Sequence, residues 1–364
     1  MPIEIESPEQ LGYDTIECNL AESSVNDAVF KDLKLNINDL ILCYGHHIGK
    51  PELRELIAAE HNNISIDDIL ITTGAASALF IAATSLLSSK DHLIVVRPNY
   101  AVNIETPRAI GCEIDFMDVN FENNFEIDVK KIQSLIKPNT KYISITTPHN
   151  PTGTVISEQT LLDLIKLAES NNCYLLVDET YRDLSLGNKL PLAASLSANV
   201  ISVSSVSKAY GLPGIRIGWL ITRNKKLQEL FLAAKEQIFL CNSVVDEEIA
   251  HQFLQQKHLF LPSIQEKIKN NFDLVKIWME QNPYLEWIEP HGGVTCFPRI
   301  KQEINIDTEM FYNILYNKYK TLVGPGHWFE MSKRYLRIGY GWPSSESLKK
   351  GLNNISFALS ETIH

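Results

Sequence analysis

The chain has 364 residues, with 33 Lys and Arg against 44 Asp and Glu, for a net charge of −11. That balance repels phosphate backbones and anionic bilayers, so it excludes nucleic acid and membrane surfaces as expected partners. The length exceeds what one core usually supports and predicts a large domain plus a smaller one. Hydrophobic residues at 45% and charged residues at 21% are ordinary for a globular protein. The six cysteines (Cys18, Cys43, Cys112, Cys173, Cys241, Cys296) form no Cys-x-x-Cys pair and no Cys/His cluster at metal-ligand spacing. No metal is expected, and reduced thiols fit a cytoplasmic protein. Nor does any basic start lead into an apolar leader, or any apolar run reach the ~18 residues of a membrane span.

In chain order, Pro51 suits the first position of a helix, with Glu52 and Glu55 where its dipole favours them. From Ile69 to Ile221, short apolar runs then alternate with helix-period segments. The runs are Ile69 to Ile71, Leu93 to Val96, Tyr142 to Ile145, Tyr174 to Val177, Val200 to Val203 and Ile215 to Ile221. Runs of this kind are strands buried on both faces of a mostly parallel sheet. Ala75 to Leu87, Val129 to Ile136 and Glu158 to Ala168 have the spacing of covering helices. Beyond Pro262, helical stretches (Ile264 to Met279, Thr308 to Tyr319, Glu346 to Leu359) surround short strands at Val294 to Phe297 and Tyr335 to Ile338. The expected fold is α/β. An N-terminal arm over 1–45 contributes to a small α+β domain over 263–364, and the large domain spans 46–262.

The strongest local signal is SSVSKAYGLPGIRIGW, Ser204 to Trp219. A lysine after a buried strand is ordinarily a solvated surface residue. Here Lys208 stands among small hydroxyl residues with Arg216 eight positions on, and desolvation beside a cation turns a lysine into a Schiff-base nucleophile. Ser205 and Arg216 suit a bound phosphate. At a strand end, LLVDETY presents Asp178. Alone it reads as a helix cap, but paired with Lys208 it reads as the carboxylate that keeps a pyridine nitrogen protonated, with Tyr181 in reach. TTPHNPTG offers Asn150 in a proline-rich turn. ITTGAASAL places Gly74, Ala75 and Ala76 where backbone N–H groups can meet an anion, although a plain turn explains them equally well. In RPNYAVN, Tyr100 can stack on a flat ring or simply be core. In YLRIGYGW, Arg337 lies within an apolar strand and needs an anion, either a substrate carboxylate or a structural ion pair. His46, His47 and His149 adjoin these segments, and a supporting or solvated role outweighs a catalytic one.

Together these motifs resemble the fold-type I pyridoxal-phosphate enzymes, specifically the class I/II aminotransferase family, over nearly the whole chain from Tyr44 onward. The resemblance implies that Lys208 anchors pyridoxal 5′-phosphate covalently and then acts as general base. It implies further that Asp178 holds the ring nitrogen, Asn150 and Tyr181 the phenolic oxygen, and Tyr100 the ring face. Gly74, Ala75, Ala76, Ser205 and Arg216 then form the phosphate cup, and Arg337 with Asn150 meets the substrate carboxylate. YGHHIGKPELR matches a pattern in which Tyr44 reaches a neighbouring subunit's phosphate, implying a homodimer. Ala76 stands where relatives carry a hydroxyl, and Ala21 near a substrate-side glycine. No second arginine for an acidic side chain is found. The expected activity is transfer of an amino group between an amino acid and a 2-oxo acid. Elimination or cyclisation, as in capreomycidine synthases, uses the same residues, and a non-catalytic sensor on this fold is improbable in an acidic chain with no room for a DNA-binding module.

Overall fold

The computed structural model describes residues 5–187 and 189–363. Seven strands form the main sheet: β1 (Ile69–Thr72), β2 (His92–Arg97), β3 (Glu113–Asp118), β4 (Thr140–Thr146), β5 (Tyr174–Asp178), β6 (Val200–Ser205) and β7 (Gly218–Ile221). Their spatial order is β1-β7-β6-β5-β4-β2-β3. Only β7 breaks the parallel pattern, running antiparallel to β1 and β6. Its reversal brings Gly218 between Thr72 and Ser205, at the edge where β1 and β6 end.

Alternating residues feed two cores. Ile69, Ile71, Ile143, Ile145, Leu175 and Val177 face one side of the sheet, and Leu70, Tyr142, Leu176, Ile201 and Val203 the other. Both sides must therefore be covered by helices, which is why these strands read as continuous apolar runs. Helices α1 (Pro51–Ala59), α4 (Val129–Leu135) and α5 (Glu158–Ser170) lie on the first side, and α2 (Gly74–Leu86), α3 (Val102–Ile110) and α6 (Lys225–Phe239) on the second.

Three elements depart from the sequence expectation. The strand expected over Ile215 to Ile221 is shortened to β7, because Pro213–Ile215 forms a 3-10 turn and Arg216 adopts a left-handed conformation, φ 50°. The strand β3 was not anticipated. Its residues Glu113, Asp115 and Asp118 make it a charged edge rather than an apolar run. The helix expected from Ile264 begins twenty residues earlier, as α7 (Val244–Gln281), with Pro262 inside it. Pro262 sits on the solvent side, where water can serve the carbonyl it leaves unpaired.

Past α7, a three-stranded sheet places β10 (Leu336–Gly339) between β8 (Thr295–Cys296) and β9 (Gly324–Pro325), all antiparallel. Asn271 joins α7 to this part, donating from Nδ2 to the carbonyls of Tyr340 at 2.8 Å and Pro343 at 3.1 Å. The N-terminal arm joins it too, with Cys18–Asn19 pairing in parallel with Thr321–Leu322. That pairing aims the arm toward the C-terminal edge of the main sheet. Gly339 is required there, since a Cβ would meet the Glu22 carbonyl oxygen at 1.8 Å.

Candidate active site

Parallel strands end together, so the loops after β1, β2, β4, β5 and β6 open on one edge of the sheet. Gly74, Ala75 and Ala76 begin α2 after β1, and Tyr100 follows β2. Asn150 follows β4, Asp178 and Tyr181 end and follow β5, and Ser205 and Lys208 end and follow β6. Arg337 arrives from β10, and Ala21 from the arm.

Asp178 is buried and accepts two hydrogen bonds at Oδ1, from the Thr180 amide at 3.0 Å and the Thr180 hydroxyl at 2.5 Å. Both lie on one oxygen, Oδ1. Burial raises the Asp178 pKa, while Thr180 and the charge of Lys208 oppose that rise. A cationic ring nitrogen at Oδ2 would supply the countercharge that the buried carboxylate needs.

Lys208 follows β6 in the turn before Arg216, and its carbonyl oxygen accepts from the Val25 amide of the arm at 3.0 Å. Desolvation lowers the pKa of its amine. Glu22 and Glu9 oppose that shift, and Arg337 and Arg216 reinforce it. A more neutral amine is a better nucleophile and base.

Gly74 and Gly218 shape an anion cradle. A Cβ on Gly218 would lie 2.5 Å from the Gly74 carbonyl carbon and 2.6 Å from the Ala75 nitrogen. A Cβ on Gly74, at φ 76°, would lie 2.7 Å from Arg216 Nη2. The start of α2 therefore packs backbone to backbone on β7 beside the Arg216 guanidinium. No side chain caps α2, so its first-turn N–H groups remain available to a ligand. Ser205, buried and paired across from Gly218, completes the cradle. These residues fit the dianionic phosphate of pyridoxal phosphate.

Arg337 is buried. Its Nη1 donates to Asn150 Oδ1 at 3.0 Å and its Nη2 to the Ala21 carbonyl at 2.6 Å. The guanidinium also lies 5.0 Å from the Phe329 ring centroid. Tyr181 is buried too, and its hydroxyl donates to the Ser23 carbonyl at 2.8 Å. Burial is the largest influence raising its pKa, to about 12, so it stays protonated.

The structure thus brings together every expected site residue except Tyr44. Its ring is 83% exposed on the segment before α1, whose Gly45 packs toward Val244. Sequence reading singled out Ala21 of the arm, but not Thr180, Gly218 or the neighbouring arm residues 20 and 22–25. Thr180 carried a signal, the Asp-x-Thr spacing of an Asx turn. The arm acts largely through backbone atoms, which have no sequence signature. His149 has a supporting role, since its ring bridges the Thr152 hydroxyl at 2.7 Å and the Pro98 carbonyl at 2.8 Å. That fastens the turn bearing Asn150 to the loop bearing Tyr100.

Comparison with known proteins gives a consistent result. Residues 17–355 match the family model described as "Aminotransferase class I and II". The chain is similar to capreomycidine synthase of Streptomyces vinaceus, 26% identical over 95% of this chain and 91% of that protein. It is also similar to an aspartate aminotransferase of Pyrococcus horikoshii, 27% identical over 87% of this chain and 83% of that protein. A pyridoxal-phosphate-dependent aminotransferase from Streptococcus suis superposes with a TM-score of 0.90 at 28% identity, covering 96% of this chain and 95% of that one.

Burial lowers the His149 pKa from 6.5 to about 4. The folded state therefore favours neutral imidazole, and the stability this contributes is present above pH 6.5 and lost as pH falls toward 4. Between pH 7 and 5 that loss amounts to about 2 kcal/mol. Urea unfolding of wild type and His149→Gln at the two pH values measures it. The variant is expected to lose correspondingly less stability on acidification, and an equal loss contradicts the assignment.

Proposed function

The chain belongs to the aminotransferase class I and II family, and from that premise we propose how its residues divide the work. It is a pyridoxal-phosphate-dependent aminotransferase, moving an amino group between an amino acid and a 2-oxo acid. The observation that carries the assignment of roles is the arm strap that ties Arg337 through Ala21, Tyr181 through Ser23 and Lys208 through Val25 to the sheet edge where Asp178 ends β5.

Pyridoxal phosphate, when bound, supplies the electron sink that lets Cα lose its proton. The start of α2 from Gly74 to Ala76, with Ser205 and Arg216, would hold the phosphate. Asp178 would keep the ring nitrogen protonated, and Tyr100 would cover the ring. The Asn150 amide Nδ2 and the Tyr181 hydroxyl would hold the phenolic oxygen. Arg337 clamps the substrate α-carboxylate, its plane fixed by Asn150 and by Ala21. Lys208 Nζ removes the Cα proton, and the lowered pKa keeps a fraction of this amine neutral for the task. Held carboxylate and positioned amine together leave one Cα–H bond facing the base.

One observation favours a second reading. The similarity to capreomycidine synthase spans almost the whole chain, and elimination with cyclisation would use the same lysine, aspartate and arginine.

The protein is further read as a cytoplasmic homodimer. Among the described residues no helix is long and apolar enough to cross a membrane, and the six cysteines are unpaired. Val29, Phe30, Ile41, Leu42 and Tyr44 form an exposed apolar stretch of the kind a second subunit covers. In such a dimer Tyr44 would reach the neighbouring phosphate.

Rapid mixing of holoenzyme with amino acids, followed by absorbance, tests the roles. Arg337→Ala is expected to raise the donor concentration at half-saturation about 100-fold. Asp178→Asn is expected to slow conversion about 100-fold or more with the cofactor still bound. Wild-type behaviour in either variant contradicts the assignment, and ammonia release with the original spectrum restored favours elimination. For the dimer, mixing Tyr44→Ala with Lys208→Ala subunits is expected to recover about a quarter of wild-type activity through hybrids with one intact site. A monomer in sedimentation, or no recovery, contradicts the shared site.

A further inference from the structure

Resting on the reading that Arg337 takes the substrate α-carboxylate, we propose that Trp328 is a positioning residue for that clamp, bracing the guanidinium with its ring, and that Glu6 of the N-terminal segment fixes the ring. Arginine is a long, rotatable side chain, and a clamp binds well only when its plane is set before the ligand arrives. Arg337 is held at its edge by Asn150 Oδ1 at 3.0 Å and by the Ala21 carbonyl at 2.6 Å. Two such bonds define an axis. Turning about that axis is opposed only by what lies against the guanidinium faces.

Two rings lie there. Arg337 Cζ is 5.0 Å from the Phe329 centroid and 6.0 Å from the Trp328 centroid, both within cation–π range. Phe329 is buried and meets Phe297 edge-on with centroids 5.6 Å apart, so the core already fixes it. Trp328 is only half-buried, and its ring needs another anchor. Its Nε1 donates to Glu6 Oε2 at 2.8 Å, the same oxygen that His327 Nε2 meets at 2.6 Å. One carboxylate oxygen thereby holds two successive side chains of the 3-10 turn Gly326–Phe329. Just past the turn, Glu330 pairs with Arg97 at 2.8 Å and with Arg108. Arg97 ends β2, three residues before Tyr100, so the turn is also tied to the main sheet.

The backbone makes room for this arrangement. Gly324 pairs with Arg337 across β9 and β10. A Cβ there would meet Arg337 Cβ, Arg337 Nε and Trp328 Cε3, all at 3.3 Å. The missing side chain lets the indole edge and the arginine stem share one gap. Removing the indole would leave Arg337 charged and bonded at its edge but freer to turn, and the cost of ordering it would then fall on substrate binding. That loss is confined to what a guanidinium binds strongly. An anionic carboxylate loses affinity, whereas a neutral carboxamide loses little.

The test mixes holoenzyme, without acceptor, with L-alanine, L-leucine, L-lysine and L-glutamate and with the primary α-amide of each, following the cofactor's absorbance. The fastest acid and its amide are then given to the variants. Trp328→Leu is expected to raise the half-saturating concentration of the acid about 10-fold, to lower its limiting rate less than about 3-fold, and to move the amide's half-saturation less than about 2-fold. Trp328→Phe, which keeps a ring but loses the N–H, and Glu6→Gln, which weakens the acceptor, are each expected to raise the acid's value about 3-fold. Comparing acid with amide cancels general damage to the fold. If Trp328→Leu leaves the acid unchanged, or acid and amide suffer alike, the proposal is overturned. Arg337→Ala keeps the underlying reading separate, since it is expected to abolish the preference for acid over amide. If wild type lacks that preference, if Arg337→Ala retains it, or if no acid changes the spectrum, the reading of the cleft fails and this proposal with it.

Discussion

Taking an amine and a carboxylate out of water at the edge of a parallel sheet costs several kcal/mol for each charge unless partners compensate. Lys208 and Asp178 both carry that penalty, and their pKa values move in the directions burial dictates, the amine down and the carboxyl up. Much of the surrounding structure compensates this arrangement. Thr180 serves one carboxylate oxygen and Val25 braces the lysine backbone, and in the proposed roles a cationic ring nitrogen and the cofactor's aldehyde would complete the pair. A site built in this way is electrostatically complete only when its cofactor is in place.

The same economy of partners explains how distant parts of the chain are held at one point. Arg337 comes from a three-stranded sheet after α7, yet its guanidinium is fixed by Asn150 from the main sheet and Ala21 from the arm. The arm is thus a strap whose carbonyls bind Arg337, Tyr181 and Gly339 and whose amide at Val25 reaches Lys208. Any shift of the small sheet relative to the large one would disturb the bonds of Arg337 to Asn150 and Ala21. The substrate contact and the base proposed above are thus joined by hydrogen bonds through the arm.

Residues whose chemistry resides in the side chain were legible in the sequence. Lys208, Asp178, Asn150, Tyr181, Arg216 and Arg337 could be placed because strand ends and glycine-rich turns announce where they sit. Features that depend on backbone were not. The left-handed conformation of Arg216 and the close approach of Gly218 to Gly74 are backbone features that no local pattern reveals. The strap at 20–25 works through carbonyls, and β3 hid because an edge strand can afford Glu113 and Asp115. Pro262 read as the point beyond which a new run of helices begins, whereas α7 runs through it with the ring turned to solvent. Tyr44 stands exposed, away from the other site residues, and the role proposed for it would need a second subunit.

The central claim is that Lys208, and no other lysine, carries the cofactor. Borohydride reduction of the holoenzyme followed by peptide mass mapping tests it most directly. The account predicts one pyridoxyl adduct, on Lys208. An adduct on another lysine, or none on protein that has retained its visible absorbance, would contradict it.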